Sequence, residues 1–198
     1  MPVWLTEPEY RTLEAALARL IPPGPDDPET GAPVAGALEA GVADYVDALL
    51  GAFTFDPPRI WAGGPTSGRA GGEAGFARFH RLTALDELAW RTRIEGSQGR
   101  PEREFNGPVV GLQQRYREGL ALLGEDFCDL APEDRDGRLR AHPDLTDLLY
   151  EHACEGMYGA PEYGGNRDGV GWRAVRFDGD VQPRGWTDAE VSFPRDAR

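Results

Sequence analysis

Apolar side chains recur at intervals of three and four residues along most of this chain, and that spacing limits the fold more than any other feature. Residues three and four apart share one face of an α-helix, whereas a half-buried strand alternates apolar and polar residues. Three helical stripes stand out: Leu13, Ala16, Leu17 and Leu20; Leu38, Val42, Tyr45, Val46 and Leu49; Leu112, Tyr116, Leu120 and Leu123. We therefore predict a mainly α protein, in which only AVRF at 174–177 could pair as a strand.

The helices are expected to form one domain over residues 1–198, with long Gly/Pro-rich loops and an irregular C-terminal segment. Thr6 and Glu9 have the capping-box spacing of a first helix, which the prolines at 22–23 end. Thr83 is a second N-cap candidate, after a break near Leu82. Further helices are predicted at 35–50, 76–94 and 109–123, from Pro132 and from Pro143. Further core candidates are Leu85, Leu88, Trp90 and Ile94.

A long Gly-rich loop runs from Phe53 to Gly75 and is interrupted by Ile60 and Trp61. Two interpretations are open for it: a surface loop held down by those two side chains, or a segment that rests on a partner protein. A phosphate-binding loop is excluded, because GGPTSGR lacks the required Lys and follows no predicted strand.

Charge excludes several classes of partner and of catalyst. There are 34 acidic and 21 basic residues, a formal charge of −13, and every basic residue is Arg. We expect no nucleic-acid partner, which favours basic domains, and no Schiff-base lysine. No run approaches the ~20 apolar residues that span a bilayer, so direct membrane insertion is not expected. The first residues, MPVWLTEPEY, lack a signal-peptide pattern, which predicts a cytoplasmic protein or export together with a partner.

The best candidate for a catalytic or metal site is Glu151, His152, Cys154 and Glu155, on the last long helix. Both acids share a helix face, and the spacing of His152 and Glu155 could bind one metal ion. A free-standing metalloprotein or hydrolase is therefore one interpretation, and a His152 that packs in or beside the core is the other. The chain has no Glu-x-x-His pair, no G-x-S-x-G elbow and no dinucleotide-binding turn, so we predict no catalytic, cofactor or metal residues.

Two cysteines, Cys128 and Cys154, complete the set of reactive side chains. Two cysteines at this spacing do not specify a disulfide, although one bond between them is possible. We interpret them as two free, buried thiols.

Residues 151–186 leave the last helix and enter a Gly/Pro-rich stretch that still carries aromatic residues. A disordered tail would hold few aromatics, so this composition indicates an ordered, non-repetitive loop, which is uncommon unless functional. Aromatic residues and Arg anchor interfaces, but they also pack onto a protein's own helices, and both roles can hold. The candidate partner-binding residues, including three polar ones expected to fix the loop, are Tyr158, Tyr163, Asn166, Arg167, Asp168, Trp172 and Trp186.

Two motifs here, EGMYGAPEYGGNRDxxGW and GDxQPRGxT, resemble the C-terminal signature of the gluconate 2-dehydrogenase subunit 3 family. LTEPEYRTLEAALARLIPP, DELAWRTRIEGS and YREGLALL resemble its helices. The resemblance implies a non-catalytic small subunit that supports the folding, stability or export of a large flavin-dependent dehydrogenase subunit. That partner would hold FAD and oxidise a sugar, a sugar acid or another alcohol, with a cytochrome subunit as a further candidate partner. Family members often carry a twin-arginine signal, which this sequence does not show.

Overall fold

Seven α-helices dominate the part of the chain that a computed structural model describes, residues 1–60 and 81–177. They are α1 (Glu7–Leu20), α2 (Val42–Leu50), α3 (Ala84–Glu95), α4 (Leu112–Leu123), α5 (Pro132–Ala141), α6 (Pro143–Tyr158) and α7 (Val170–Ala174). No strand forms within these ranges, where one isolated antiparallel bridge pairs Gly24 with Val34. The predicted mainly α class is confirmed.

Two helices begin at the caps that the sequence predicts. At α1, the Glu9 amide donates to Thr6 Oγ1 at 3.4 Å and the Thr6 amide donates to the Glu9 carboxylate at 2.8 Å. At α3, Thr83 and Asp86 form the same reciprocal pair, at 3.2 and 3.3 Å. Each box satisfies amides that a helix start leaves without partners, so both boundaries are fixed locally. Residues 81–83 are not helical, whereas the part of the predicted helix at 76–80 lies outside the described ranges.

The second helix begins at Val42 rather than at residue 35, and the turn before it contains Gly41 with φ of +67°. The prediction treated Gly41 as a weak helical residue, but its left-handed backbone ends the turn instead. A Cβ at Gly41 would lie 2.9 Å from a guanidinium nitrogen of Arg167. Leu38 therefore belongs to the turn and is exposed, which corrects its assignment to the core.

The fourth helix begins at Leu112, three residues after the predicted start at Val109. Val109 instead pairs with Ser97: the Ser97 amide donates to the Val109 carbonyl at 2.9 Å, and the Val109 amide donates to Ser97 Oγ at 2.6 Å. Gly111 then rests directly on the backbone at Gly96, where a Cβ would overlap. These long-range contacts hold 109–111 outside the helix.

The core lies where α1 and α2 meet α6. α1 also contacts α4 and α5, and α3 packs against α4. The largest fully buried side chains come from α1, α2, α3, α4 and α6 and from the 3₁₀ turn Phe127–Asp129, and include Leu13, Leu17, Val46, Leu50, Ile94, Tyr116, Leu123, Phe127, Leu149 and Met157. None of the described helices is both long and apolar enough to cross a bilayer.

Helix α3 is less buried than its apolar residues suggest. Ile94 is fully buried as predicted, but Leu85 is 74% exposed, and Leu88 and Trp90 are half-buried. Helix α3 packs against α4, and its one fully buried residue, Ile94, lies near its C-terminal end. The assignment of Leu85 to the core is wrong.

Candidate partner interface

The C-terminal segment, residues 159–177, folds back onto α6 after that helix ends at Tyr158. Two 3₁₀ turns, Pro161–Tyr163 and Arg167–Gly169, lead into α7. Gly165 and Gly171 lie directly against the backbone of α6, where a Cβ would overlap a carbonyl oxygen. The glycines of this segment therefore allow two stretches of main chain to touch, which no larger residue would permit.

The possible strand at 174–177 is not formed, which corrects that prediction. Ala174 ends α7, and the amides of Val175 and Arg176 donate to the carbonyls of Gly171 and Arg173 at 3.2 and 3.0 Å. Arg176 has φ of +56°, and the Phe177 amide donates to the Trp172 carbonyl at 2.8 Å, so the chain ends the helix in a left-handed turn here. With the backbone groups used locally, AVRF has no free edge to pair.

Asn166 holds the segment closed from inside. Its side chain is completely buried, donates from Nδ2 to the Gly159 carbonyl at 2.8 Å, and accepts the Gly171 amide at Oδ1 at 2.8 Å. Its φ of +45° is a left-handed conformation that Asn tolerates better than most residues. One side chain thus joins the start of the segment to α7, as expected for a residue that fixes the loop.

Arg167 ties the same segment to α2. Its guanidinium lies 2.6 Å from the Asp44 carboxylate, and its amide donates to the Ala40 carbonyl at 3.0 Å. Asp44 also accepts a 2.7 Å hydrogen bond from the Tyr10 hydroxyl. Burial and this carboxylate raise the pKa of Tyr10 well above its usual range, so the hydroxyl keeps its proton. Asp44 therefore connects α1, α2 and the C-terminal segment.

Asp168 and Trp172 lie on the outside of the segment. Asp168 is exposed, with φ of +55°, and its carbonyl accepts a hydrogen bond from Arg173. Trp172 is half-buried: Nε1 donates to the Tyr158 carbonyl at 2.8 Å, and the ring meets Phe177 edge-on at 5.4 Å. Trp61 and Trp186, the other aromatic candidates, lie outside the described residues.

A groove of about 730 Å³ opens between α2, α3, α6 and the C-terminal segment. Its walls are largely apolar or aromatic, and its polar residues include Arg59, Arg93 and Glu155; the other lining residues are Tyr45, Leu49, Ile60, Trp90, Cys154, Tyr158, Gly159, Ala160 and Tyr163. The Tyr45 hydroxyl donates to Glu155 at 2.6 Å, and burial, followed by Glu155, raises the pKa of Tyr45. The structure thus brings predicted residues Tyr158 and Tyr163 to one concave surface.

The candidate catalytic cluster is divided among separate contacts. His152 is buried, with Nδ1 2.7 Å from the Tyr116 hydroxyl and the two rings stacked at 5.7 Å. Burial lowers the pKa of His152. Glu155 is bonded to Tyr45, and the neighbouring Glu151 is exposed. Within the described ranges, no group of three or more His, Cys, Asp or Glu is placed to hold a metal ion.

Both cysteines, Cys128 and Cys154, are free thiols, but they are half-buried rather than fully buried. Cys154 lines the groove, and Cys128 lies 3.9 Å from the Thr12 hydroxyl. The expectation of full burial is corrected because both lie at the edges of cavities rather than in the core.

The model of the gluconate 2-dehydrogenase subunit 3 family matches residues 7–179 of this chain. The chain belongs to the gluconate 2-dehydrogenase subunit 3 family. The resemblance carried by the sequence motifs is confirmed, and the family name implies a subunit of a multi-subunit dehydrogenase. A search of curated proteins and a search of solved structures gave no significant match.

The first motif of the gluconate 2-dehydrogenase subunit 3 signature, residues 155–172, is the region that makes these contacts. It begins with Glu155 at the groove, contains Asn166 and Arg167, and ends with Trp172 on the outer face. The second motif lies outside the described residues. The signature therefore encodes a closed loop beside a groove.

Two residues, Asp44 and Asp47, escaped sequence reasoning, and so did the hydrogen bond between Tyr116 and His152. Buried Asp47 accepts the amides of Val3, Trp4 and Leu5 and so fixes the N-terminus on α2. An Asp on a helix usually indicates a solvated face, and its partners here lie far away in sequence. The one signal that the sequence offers for Asp47 is its position directly after Val46, in the apolar stripe of α2.

Proposed function

We propose that this chain is a non-catalytic accessory subunit of a flavin-dependent dehydrogenase that oxidises a sugar, a sugar acid or another alcohol. It binds the large subunit that holds FAD and supports the folding, stability or export of that subunit. The observation that carries the proposal is the family match over residues 7–179, which includes every helix that the structure describes. A cytochrome subunit that accepts electrons from the large subunit is a further candidate partner.

The groove and the outer face of the C-terminal segment are the surface that we assign to the large subunit. Its composition supports the assignment, since aromatic residues and Arg are enriched in interfaces. Tyr158 stands at the groove, while Trp172 and Phe177 continue the aromatic surface along α7. An ordinary interface covers about 800 Å² on each partner, so the contact extends from the groove onto this outer face.

The rigidity of the segment also favours binding. Asn166 and Trp172 bond to the backbone of 158–159, and Arg167 bonds to α2. A surface that is already held in its binding conformation loses less conformational entropy when a partner docks. The contacts that fold the segment would therefore increase its affinity for the large subunit.

The geometry favours this function over a free-standing metalloprotein or hydrolase. His152 Nδ1 is paired with the Tyr116 hydroxyl, and the Glu155 carboxylate is paired with Tyr45. A general base or metal ligand needs those atoms to converge on one reacting group, and here they point to different partners. We propose no second function.

The proposal is tested by producing the large flavoprotein subunit alone, with this chain, and with an unrelated small acidic protein. The soluble yield, the FAD content per polypeptide and the activity with an artificial electron acceptor are measured in each case. We expect all three to rise only when this chain is present. Equal yield, FAD content and activity in the three preparations would contradict a supporting role.

A further inference from the structure

A second cavity, of about 380 Å³, lies between α3, the start of α4 and α6. It contains the apolar side chains of Val110 and Leu148 and four ionisable ones: Arg93, Arg115, Glu151 and His152. Arg93 also borders the groove described above, but the other three do not. Apart from Arg93, this cleft shares no lining residue with the groove, and it combines exposed charges with one buried ring.

The buried ring is His152, which is only 1% exposed. Its Nδ1 lies 2.7 Å from the hydroxyl of Tyr116, which is buried as well. Burial raises the pKa of Tyr116 far above neutrality and lowers the pKa of His152, so the phenol is protonated and the imidazole is neutral at pH 7. Among the described residues, the Tyr116 hydroxyl has His152 Nδ1 as its acceptor. If Nδ1 accepts this hydrogen bond, the hydrogen of the neutral imidazole is on Nε2.

The Nε2–H group has no hydrogen-bond partner among the residues that the structure describes. Buried donors in native proteins are almost always satisfied, so an exception calls for an explanation, of which a bound group is one. Tyr116 does not line the cleft, whereas His152 does. Because the Nδ1 edge is occupied by Tyr116, we take Nε2 as the donor that His152 presents to the cleft.

The rim of the cleft adds positive charge beside this donor. Arg93 and Arg115 are both exposed, and neither forms an ion pair within the described ranges. The Arg93 guanidinium lies over the Trp90 ring, with Cζ 5.3 Å from the ring centroid. Glu151 lines the same cleft, and the charge of Glu155, which is bonded to Tyr45, also acts on His152, so two carboxylates offset the two cations around this ring.

From this arrangement we infer that the cleft binds a carboxylate group, which accepts hydrogen bonds from His152 Nε2 and from the guanidinium groups of Arg93 and Arg115. A carboxylate has two oxygens and several lone pairs, and Arg matches it with paired N–H donors. A single bound carboxylate would satisfy the buried donor. The carboxylate comes either from a free small acid or from an acidic side chain of the large subunit.

The first test uses the isolated full-length protein labelled with ¹⁵N at histidine. Acetate is titrated in place of chloride at constant ionic strength, and the His152 ring nitrogens are followed by NMR. We expect a saturable shift at Nε2, while Nδ1 keeps the signature of an acceptor. A His152 spectrum that does not respond to acetate, or that responds equally to chloride, would overturn the carboxylate site.

Two matched variants separate a built site from a general charge effect. Arg115→Gln removes a cleft cation, and Arg140→Gln removes the same charge from an exposed position on α5. Charge-assisted hydrogen bonds are among the stronger ones. We therefore expect Arg115→Gln to raise the apparent Kd for acetate about tenfold and Arg140→Gln to change it by less than about twofold. Equal weakening in both variants would refute a site at the cleft. Both positions are exposed, and unchanged thermal melting would verify that the variants fold.

A second arm, which rests on the proposed function, identifies the source of the carboxylate. If an acidic side chain of the large subunit occupies the cleft, complex formation shifts His152 in the same direction and abolishes the response to acetate. If a free acid is the ligand, the acetate response persists in the complex. Failure of the two proteins to associate would contradict the proposed function, while the result on the isolated chain would still decide whether the carboxylate site exists.

Discussion

Replacement of Asn166 by Ala should release the C-terminal segment from α6. The side chain makes two hydrogen bonds of 2.8 Å, one from Nδ2 to the Gly159 carbonyl and one to Oδ1 from the Gly171 amide. Ala makes neither bond, and the buried position gives water no direct path to replace them. The residue also has φ of +45°, a conformation that Ala adopts less readily than Asn.

The expected loss follows from these contacts. A buried polar group that loses its partner costs about 1–3 kcal/mol, and Gly159 and Gly171 each lose one. The left-handed backbone adds about 1 kcal/mol for Ala. Because Gly159 is only half-buried and water can reach part of it, we expect a total of about 2–5 kcal/mol. That is a large fraction of the ~5–15 kcal/mol that stabilises a typical domain.

Denaturant unfolding and amide hydrogen exchange measure this loss globally and locally. We expect a lower free energy of unfolding and faster exchange at the Gly171 amide. Asn166→Gly keeps the left-handed backbone without the side-chain bonds, so it should be more stable than Asn166→Ala by about 1 kcal/mol. Asn106→Ala, at an exposed position, is the matched control. A change below about 0.5 kcal/mol for Asn166→Ala, with Gly171 still protected, would refute the assigned role, since surface substitutions fall in that range.

Three further predictions concern the backbone, the groove and pH. Gly41→Ala should lower the free energy of unfolding by about 1–2 kcal/mol in denaturant titrations, because φ is +67° and Ala resists that conformation. Tyr158→Ala should weaken binding to the large subunit about tenfold, as measured by calorimetry. Tyr150→Ala should change it little, because Tyr150 lies on the same helix but outside the groove; the two side chains are comparably exposed, at 41% for Tyr158 and 53% for Tyr150. Hydrogen bonds from Arg19 lower the pKa of Asp136, so the stabilising effect of Asp136 exists above its unfolded pKa, about 3.9, and disappears as pH falls through its lower folded pKa. Asp136→Asn should accordingly lower Tm more at pH 7 than at pH 2; an equal effect at both values would contradict this.

Local signals in the sequence were sufficient for the helix caps and for the fold class. The Thr6 and Thr83 boxes involve residues three apart, so the pattern contains both partners. The apolar stripes of α1 and α4 likewise mark faces that become buried, as Leu17 and Leu120 show. Such features depend on short-range geometry, which a sequence displays directly.

Features decided by distant contacts could not be predicted. In the sequence, Gly41 is indistinguishable from a glycine that merely weakens a helix. Only the structure shows that Arg167, far away in the chain, lies against it. α7 contains only five residues among glycines, so periodicity could not separate it from a strand at 174–177. The partner-binding residues were predicted by type, but only the structure shows that Asn166 lies inside while Trp172 faces outward.

Co-expression with the large flavoprotein subunit, followed by size-exclusion chromatography with flavin absorbance, tests the central proposal most directly. We expect this chain to elute with the yellow protein in a fixed ratio, and Asn166→Ala to reduce that co-elution because it releases the segment. A fixed ratio in the mature complex would identify a permanent subunit, and co-elution only with newly made protein would identify a transient folding helper. Separate elution of both proteins, with the flavoprotein soluble and active alone, would contradict the proposal.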